Sequence, residues 1–444
     1  MSFIRKISVR GLFGLYDHSV EIRSDTRVTI IAGPNGVGKT TLFSLTQALL
    51  TADYRELGKH DFSELSVEMQ DGRGLVASPL EPIDDSDESP RRLRLAQLKD
   101  GEAQSEKTVD IPVGAQDLSL PSYVEQQGPD LYFDRRSGEH LSADQLYFRY
   151  GRGRVGPRGR VGKRSEGGDE ENWKVDFIET KRLDTLMSGP ARQRVGRRRD
   201  SGGAPINTYL EAVRGALDNA RIESTKIRQA RDRNFVRRLL DKASRMTVNE
   251  PRLRERFIAI GTEAEALERN GLLTDSLDVL PQTKLNPGEK RVVSLFLDDF
   301  EAKLKPLRPV ASKLERLRQV IGSKFLNKSL EIDSSGGVVF LAQPDNHQIA
   351  PESLSSGEQH QLALISRLLF TEDPGTTVLI DEPELSLHVG WQHEMVGDLI
   401  EIAEVADLTF VLATHSTAII NNRWELVEEL GPLEEPIQPD SADD

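Results

Sequence analysis

Along the first fifty residues, apolar and polar positions follow the pattern of strands, a glycine-rich turn and a helix. Residues 3–10 alternate apolar and polar side chains, as a half-buried strand does. A later strand ends in the apolar run VTIIA and leads directly into the turn, after which residues 40–50 predict a helix. Strand, turn and helix in this order form the local frame of a phosphate-binding loop.

The rest of the chain predicts more strands and a long helical region. Residues 62–80 predict a hairpin that turns at Asp71-Gly72, and the acid-rich residues 81–108 predict a polar surface loop. Residues 207–270 predict two helices that break near Pro251, each too short for a long coiled-coil arm, and the tail after Arg423 is expected to fray. The other predicted strands are residues 19–23, 27–32, 173–179, 330–332, 338–342, 377–380 and 408–413. The other predicted helical segments are residues 289–328, interrupted by Pro306 and Pro309, and residues 357–370 and 390–404.

Composition narrows the possible classes of function. The chain has 444 residues, a net charge of −14 and no cysteine, which excludes disulfides and thiolate metal sites and indicates a reducing, cytoplasmic location. This charge argues against a protein that coats nucleic acid over its whole surface. No apolar run of about 18 residues is present, so we expect no membrane contact. Two basic segments, residues 149–164 and 192–199, are candidates for binding DNA or an acidic partner.

Residues 33–40, GPNGVGKT, match the phosphate-loop pattern G-x-x-x-x-G-K-[ST]. Glycines allow successive backbone N–H groups to point at a phosphate, and the N-terminus of the following helix adds positive potential. Lys39 is predicted to reach the β- and γ-phosphates of ATP, and the Thr40 hydroxyl to bind Mg²⁺. The predicted nucleotide-binding residues are Gly33, Asn35, Gly36, Gly38, Lys39, Thr40 and Thr41.

A second group of polar residues follows apolar segments near the C-terminal end. Asp381 and Glu382 end a predicted strand, where Asp381 would hold Mg²⁺ and Glu382 would polarise the attacking water. Upstream, residues 354–359 read LSSGEQ and open a helix, a position that favours an anion. Downstream, His415 follows another strand.

Taken in this order, these motifs resemble those of the ABC ATPase superfamily. The resemblance implies an α/β fold: an ABC-type P-loop ATPase head formed by both ends of the chain, with a mainly helical insertion shaped as a short coiled-coil-like hairpin. It implies that His415 senses the γ-phosphate, so that Glu382 and His415 are the catalytic residues. Lys181 occupies the position where relatives often place a glutamine that couples Mg²⁺ to conformational change. The loop predicted to act on the ATP of a second copy consists of Ser355, Ser356, Gly357 and Glu358.

The segment Glu384-Leu-Ser-Leu-His388 narrows the resemblance to ATPases of the overcoming-lysogenisation-defect type and their relatives in phage-defence operons. Most ABC proteins carry an aspartate at the position of His388. This branch implies an ATP hydrolase that uses ATP and Mg²⁺ and assembles as a dimer of heads or a larger homo-oligomer. It also implies a phage-encoded trigger and a nuclease or toxin effector. The chain shows no nuclease motif and ends about thirty residues after His415, so the effector is expected to be a separate protein.

Two alternatives remain open at this point. One is an ATPase head of DNA repair or recombination that binds DNA through the two basic segments. The other is the ATPase of a Septu-like system with an HNH partner, since its ATP site would look the same. In each case we predict the N-terminal half of the head with flexible Arg/Gly-rich loops over residues 1–185, the helical insertion over 186–290, the C-terminal half of the head over 291–430 and an acidic tail over 431–444.

Overall fold

The computed structural model describes residues 3–80, 91–111, 124–128, 131–134, 139–142, 173–180, 205–240, 249–273, 277, 280–333, 336–385 and 387–431. The two basic segments, Lys181 and the tail from residue 432 lie outside the described residues. What the sequence predicts for them therefore stays a prediction.

The described chain contains both strands and helices, and the predicted α/β class is confirmed. The strands are β1 Ile4–Leu12, β2 Tyr16–Glu21, β3 Val28–Ala32, β4 Glu64–Met69, β5 Arg73–Leu80, β6 Arg91–Lys99, β7 Glu102–Ile111, β8 Val124–Gly128, β9 Leu131–Asp134, β10 Glu139–Ser142, β11 Val175–Glu179, β12 Lys328–Ile332, β13 Val338–Ala342, β14 His347–Ile349, β15 Thr376–Asp381, β16 Leu408–Thr414 and β17 Val427–Glu429. The helices are α1 Lys39–Leu50, α2 Tyr54–Leu57, α3 Pro205–Leu240, α4 Glu250–Arg269, α5 Pro287–Leu304, α6 Arg308–Lys324, α7 Ser356–Phe370, α8 Val389–Ala406 and α9 Thr417–Ile420.

A parallel sheet with the strand order β11-β15-β16-β3-β17 forms the centre of the head. Strands β15 and β16 are buried along their whole length, which explains their continuous apolar runs. The sheet joins the two ends of the chain, because β3 pairs with β16 on one side and with β17 on the other. In register, Asp381 lies opposite Ala413 and Thr414 opposite Ala32, so the loops that follow β3, β15 and β16 meet at one edge. Open α/β sheets bind ligands at this carboxyl edge.

An antiparallel sheet, β2-β1-β4-β5-β6-β7, covers α1 from the other side. Apolar residues of this sheet, of α1 and of one face of the parallel sheet form a single core cluster. The opposite face of the parallel sheet packs against α3, α6, α7 and α8 in a second cluster. The phosphate-loop helix α1 is therefore held between two sheets.

Two predictions about secondary structure are wrong. Of the predicted loop over residues 81–108, residues 91–99 and 102–108 lie in β6 and β7. Strand β7 is the last of its sheet and is exposed at almost every position, so its charged side chains hide the alternation that predicts a strand. The segment expected to fray after Arg423 contains β17, which pairs through its backbone with β3.

The helical region matches the predicted pair of helices, with α3 ending at Leu240 and α4 beginning at Glu250. The N-terminal half of α3 is anchored in the head through buried Ile206, Val213 and Leu217. Its C-terminal half, together with α4 and α5, borders an open groove of about 760 Å³ whose lining includes four phenylalanines. Within the described residues, no helix has the length and apolar character needed to cross a membrane.

Candidate nucleotide site

The loop between β3 and α1 has backbone conformations that require glycine. Gly36 and Gly38 have φ angles of 88° and 92°, which residues with a Cβ atom rarely adopt. A Cβ atom on Gly38 would lie 2.5 Å from Leu12 Cδ2 and 3.2 Å from the Phe13 ring. Nε2 of the buried His18 ring lies 2.8 Å from the Val37 carbonyl oxygen, and this hydrogen bond fixes the backbone of the phosphate loop.

The other predicted loop residues lie where they can face a ligand. Asn35, Gly36 and Thr40 are exposed, whereas Gly33 and Thr41 are half-buried. The structure thus presents the tip of the loop, together with Thr40 of the first turn of α1, on the surface. This is the geometry that a phosphate-binding helix N-terminus needs.

The Lys39 ammonium lies buried at the centre of the loop. Its Nζ atom donates to the Gly33 carbonyl at 2.8 Å and the Pro34 carbonyl at 3.1 Å, and lies 2.7 Å from His415 Nε2. An ammonium group has no acceptor, so in this contact the Lys39 ammonium donates and His415 Nε2 accepts. Burial lowers the pKa of Lys39, although Asp381, Glu382 and Glu384 oppose this shift. Three carboxylates, one lysine and one histidine therefore share this edge of the sheet.

Thr40 and Asp381 meet across the edge, with Thr40 Oγ1 donating to Asp381 Oδ2 at 2.7 Å. A hydroxyl and a carboxylate oxygen at one point are a donor set that fits Mg²⁺, which binds through few protein oxygens and completes its shell with water and phosphate. Within the described residues, no group of three or more acidic, histidine or cysteine side chains forms a separate metal cage. The residues present fit a Mg²⁺ ion that binds together with nucleotide.

Glu382 follows Asp381 in a strained backbone conformation, with a φ angle of 48°. Its backbone N–H donates to the Ala413 carbonyl at 2.8 Å, which fixes the end of β15 against β16. A residue other than glycine in this region costs about 1–3 kcal/mol, and such strain occurs often at functional sites.

The loop that begins α7 forms a capping box. The Ser355 hydroxyl accepts from the Glu358 N–H at 3.3 Å, while the Glu358 carboxylate accepts from the Ser355 N–H and O–H, each at 2.9 Å. Lys328 Nζ also donates to Glu358 at 2.6 Å. Burial would raise the pKa of Glu358, but Lys328 and the Ser355 donors hold it below its ordinary value. Ser355 and Ser356 stay exposed and Gly357 is half-buried, whereas Glu358 is buried and faces its own chain.

The family of the chain follows from a comparison with known protein families. A family model described as "AAA domain, putative AbiEii toxin, Type IV TA system" matches residues 192–421, just over half of the chain. The chain belongs to this AAA family. Its phosphate-loop motif and its parallel sheet agree with a P-loop ATPase domain. None of the curated proteins compared with the chain matches it.

Solved structures similar to this AAA protein include heads of SMC proteins. One is the Smc head domain with an extended coiled coil bound to the C-terminal domain of ScpA, derived from Pyrococcus furiosus, at 15% identity and a TM-score of 0.36, covering 95% of this chain and 92% of that one. Another is the SMC head domain from Thermotoga maritima, at 11% identity and a TM-score of 0.34, covering 98% of this chain and 100% of that one.

The structure also shows hydrogen bonds of the AAA protein that the motifs did not predict. Glu384 Oε2 accepts from Thr414 Oγ1 at 2.8 Å, and Glu384 Oε1 accepts from the His415 N–H at 3.1 Å. Thr180, which precedes Lys181 in the chain, donates through Oγ1 to the Asp381 carbonyl at 2.7 Å. In the sequence Glu384 opens the segment Glu384-Leu-Ser-Leu-His388, but nothing there shows its hydrogen-bond partners.

Proposed function

We propose that this AAA protein binds ATP with Mg²⁺, hydrolyses it at a site completed by a second copy, and through this cycle controls a separate effector in anti-phage defence. The observation that carries the enzymatic part is the meeting of Lys39, Thr40, Asp381 and His415 at the carboxyl edge of one parallel sheet. Catalysis of phosphoryl transfer depends mostly on positioning and charge, and these residue types supply both.

Each side chain has a defined role in this proposal. The N–H groups of the loop and the Lys39 ammonium bind the β- and γ-phosphates. Thr40 and Asp381 would hold Mg²⁺, and the ion would supply positive charge beside the phosphates. Glu382 accepts a proton from the attacking water, and His415, already 2.7 Å from Lys39 Nζ, contacts the γ-phosphate.

The need for a second copy rests on the start of α7. Ser355 and Ser356 are exposed at the N-terminus of a 15-residue helix, where backbone N–H groups favour an anion. In this proposal they bind the γ-phosphate held by the partner copy, and Gly357 permits the close approach. Glu358 does not contact ATP in this proposal; it closes the capping box with Ser355 and so stabilises the start of α7. ATP would then link two heads, as a dimer or within a larger ring.

The defence role rests on family likeness. The motif Glu384-Leu-Ser-Leu-His388 resembles that of ATPases in phage-defence operons, and the chain looks most like AriA, the ATPase subunit of the PARIS system. By this likeness a phage-encoded protein is the trigger, and a Toprim-like nuclease or toxin is the effector. The description of the matched family, which names a toxin and a type IV toxin–antitoxin system, is consistent with such an operon.

A DNA-repair or recombination head is the second candidate, and the charge of α3 favours it. The C-terminal half of this helix carries Arg228, Arg231, Arg233, Arg237 and Arg238, in a protein whose net charge is −14. However, the adjacent groove is lined by phenylalanines, and Phe296 is 41% exposed. Exposed apolar surface is typical of protein-binding sites, which favours a protein partner over DNA alone.

One purification tests these alternatives. Tagged Glu382→Gln protein is isolated with ATP from cells that express the neighbouring genes. The matched control is Lys39→Ala, whose ATP binding is expected to be at least ~10²-fold weaker. A stoichiometric Toprim-like chain that co-purifies with Glu382→Gln supports the proposed role, and an HNH chain supports the Septu-like alternative. If DNA co-purifies without a protein partner, the result would establish a DNA-repair or recombination head and overturn the defence role.

A further inference from the structure

We propose that Glu384 is a positioning residue for ATP hydrolysis: its carboxylate fixes the loop that carries His415 and so holds the histidine ring against the γ-phosphate position beside Lys39. The inference rests on the proposed ATP hydrolysis and adds a residue to it. Glu384 lies on the turn that follows β15, three residues after Asp381, whereas His415 follows β16.

The Glu384 carboxylate makes two hydrogen bonds to the loop that follows β16. One carboxylate oxygen accepts from the Thr414 hydroxyl at 2.8 Å and the other from the His415 backbone N–H at 3.1 Å. Two acceptors on one rigid group fix both the position and the rotation of the peptide they bind, which a single hydrogen bond does not. Thr414 is fully buried, so its hydroxyl is already placed by the core.

A second set of hydrogen bonds holds the other side of the same loop. The Ser416 N–H donates to Thr414 Oγ1 at 2.9 Å, and Ser416 Oγ donates to Gln392 Oε1 at 2.9 Å. The Gln392 amide donates in turn to the Leu387 carbonyl at 3.1 Å, within the turn that carries Glu384. The histidine loop is thus attached at three successive residues, Thr414 to Ser416, to Glu384 and Gln392.

This attachment matters because the His415 ring itself is exposed. With its side chain at the surface, the ring owes its place to its backbone and to its contact with Lys39 Nζ. A displacement of about 1 Å at a reacting centre can cost about 10²-fold in rate. Loss of the Glu384 carboxylate frees the Thr414–His415 peptide and should therefore slow the chemical step without loosening the phosphate loop.

The experiment is a double-mutant cycle on steady-state ATP hydrolysis. We expect Glu384→Ala to lower kcat by about 10²-fold while KM stays within about threefold, and Glu384→Gln, which keeps one acceptor, to lose less. In a His415→Ala background, Glu384→Ala should add at most about threefold, because residues that act through one another are not additive. Glu394→Gln, an exposed acid-to-amide change on α8, is the matched control and should leave kcat unchanged.

Two results would overturn the inference: full multiplicative losses in the double mutant, or a rise in KM that accounts for the whole effect. If the wild-type protein does not hydrolyse ATP, the proposed function fails, and a second readout then decides the role of Glu384. In ¹⁵N-histidine-labelled protein, with His415 assigned by His415→Asn, Glu384→Ala should shift the His415 ring signals and Glu394→Gln should not. Unchanged His415 signals in Glu384→Ala would refute the positioning role.

Discussion

Replacing Gly36 or Gly38 of the phosphate loop by alanine separates two physical costs that the structure assigns to different positions. Both Gly36 and Gly38 have φ near 90°, so alanine at either position costs roughly 1–2 kcal/mol in backbone strain. Only at Gly38 does the new methyl group also meet a neighbour, with Leu12 Cδ2 at 2.5 Å; nothing lies within 4 Å of a Cβ atom on Gly36. Overpacking of this kind typically costs a further ~1–3 kcal/mol.

We therefore expect Gly38→Ala to destabilise the fold by about 2–5 kcal/mol and Gly36→Ala by about 1–2 kcal/mol. Each alanine also restricts the unfolded chain by a similar amount, so this effect cancels in the comparison. The measurement is the denaturant midpoint of each variant without nucleotide, at an unchanged m-value. If Gly36→Ala proves as destabilising as Gly38→Ala, the contact with Leu12 does not constrain the loop and the reasoning is wrong.

Three further outcomes follow from named contacts. Lys39→Ala removes charge-assisted hydrogen bonds worth ~1.5–3 kcal/mol each, so fluorescent-nucleotide titration should show at least ~10²-fold weaker ATP binding. Ser355→Arg should abolish phosphate release while nucleotide binding persists; lost binding would mean that the loop contacts ATP within its own chain. Burial, reinforced by the charge of Asp176, raises the pKa of Glu372 to about 7. The folded protein then holds this proton more tightly than the unfolded chain, so the stabilisation is complete at low pH and is lost as the pH rises through about 7. Thermal unfolding of Glu372→Gln should accordingly depend less on pH between about 5 and 8 than that of the wild type, and equal slopes would contradict this assignment.

The elements that the sequence predicts well are those whose signal is local. Strands β15 and β16 are buried on both faces, so their apolar runs are continuous and bounded. The turn at Asp71-Gly72 and the proline near the start of α4 mark boundaries by their own backbone chemistry. For the same reason the phosphate loop can be recognised, because its glycines, its lysine and its threonine all lie within residues 33–40.

The elements that the sequence misses depend on distant partners. Strand β17 has three residues and exists because its backbone pairs with β3, almost 400 residues earlier in the chain. Strand β7 pairs with β6 through its backbone while its charged side chains face solvent. Neither pairing produces a periodic pattern in the side chains. The local sequence therefore predicts a loop in place of β7 and a frayed end in place of β17.

The candidate site follows the same division between local and distant signals. Lys39, Asp381 and His415 can be selected one by one, since each lies in a motif at the end of an apolar strand, and a parallel sheet brings such ends together. Glu384 lies in a motif as well, but its function depends on which loop its carboxylate reaches, and that is decided by the register of β15 against β16. Because this register places Asp381 opposite Ala413, the turn after β15 and the loop after β16 leave the sheet side by side. A carboxylate three residues beyond Asp381 can then bind the peptide two residues beyond Ala413. Shortening either turn by one residue should break the contact even if every motif residue is kept.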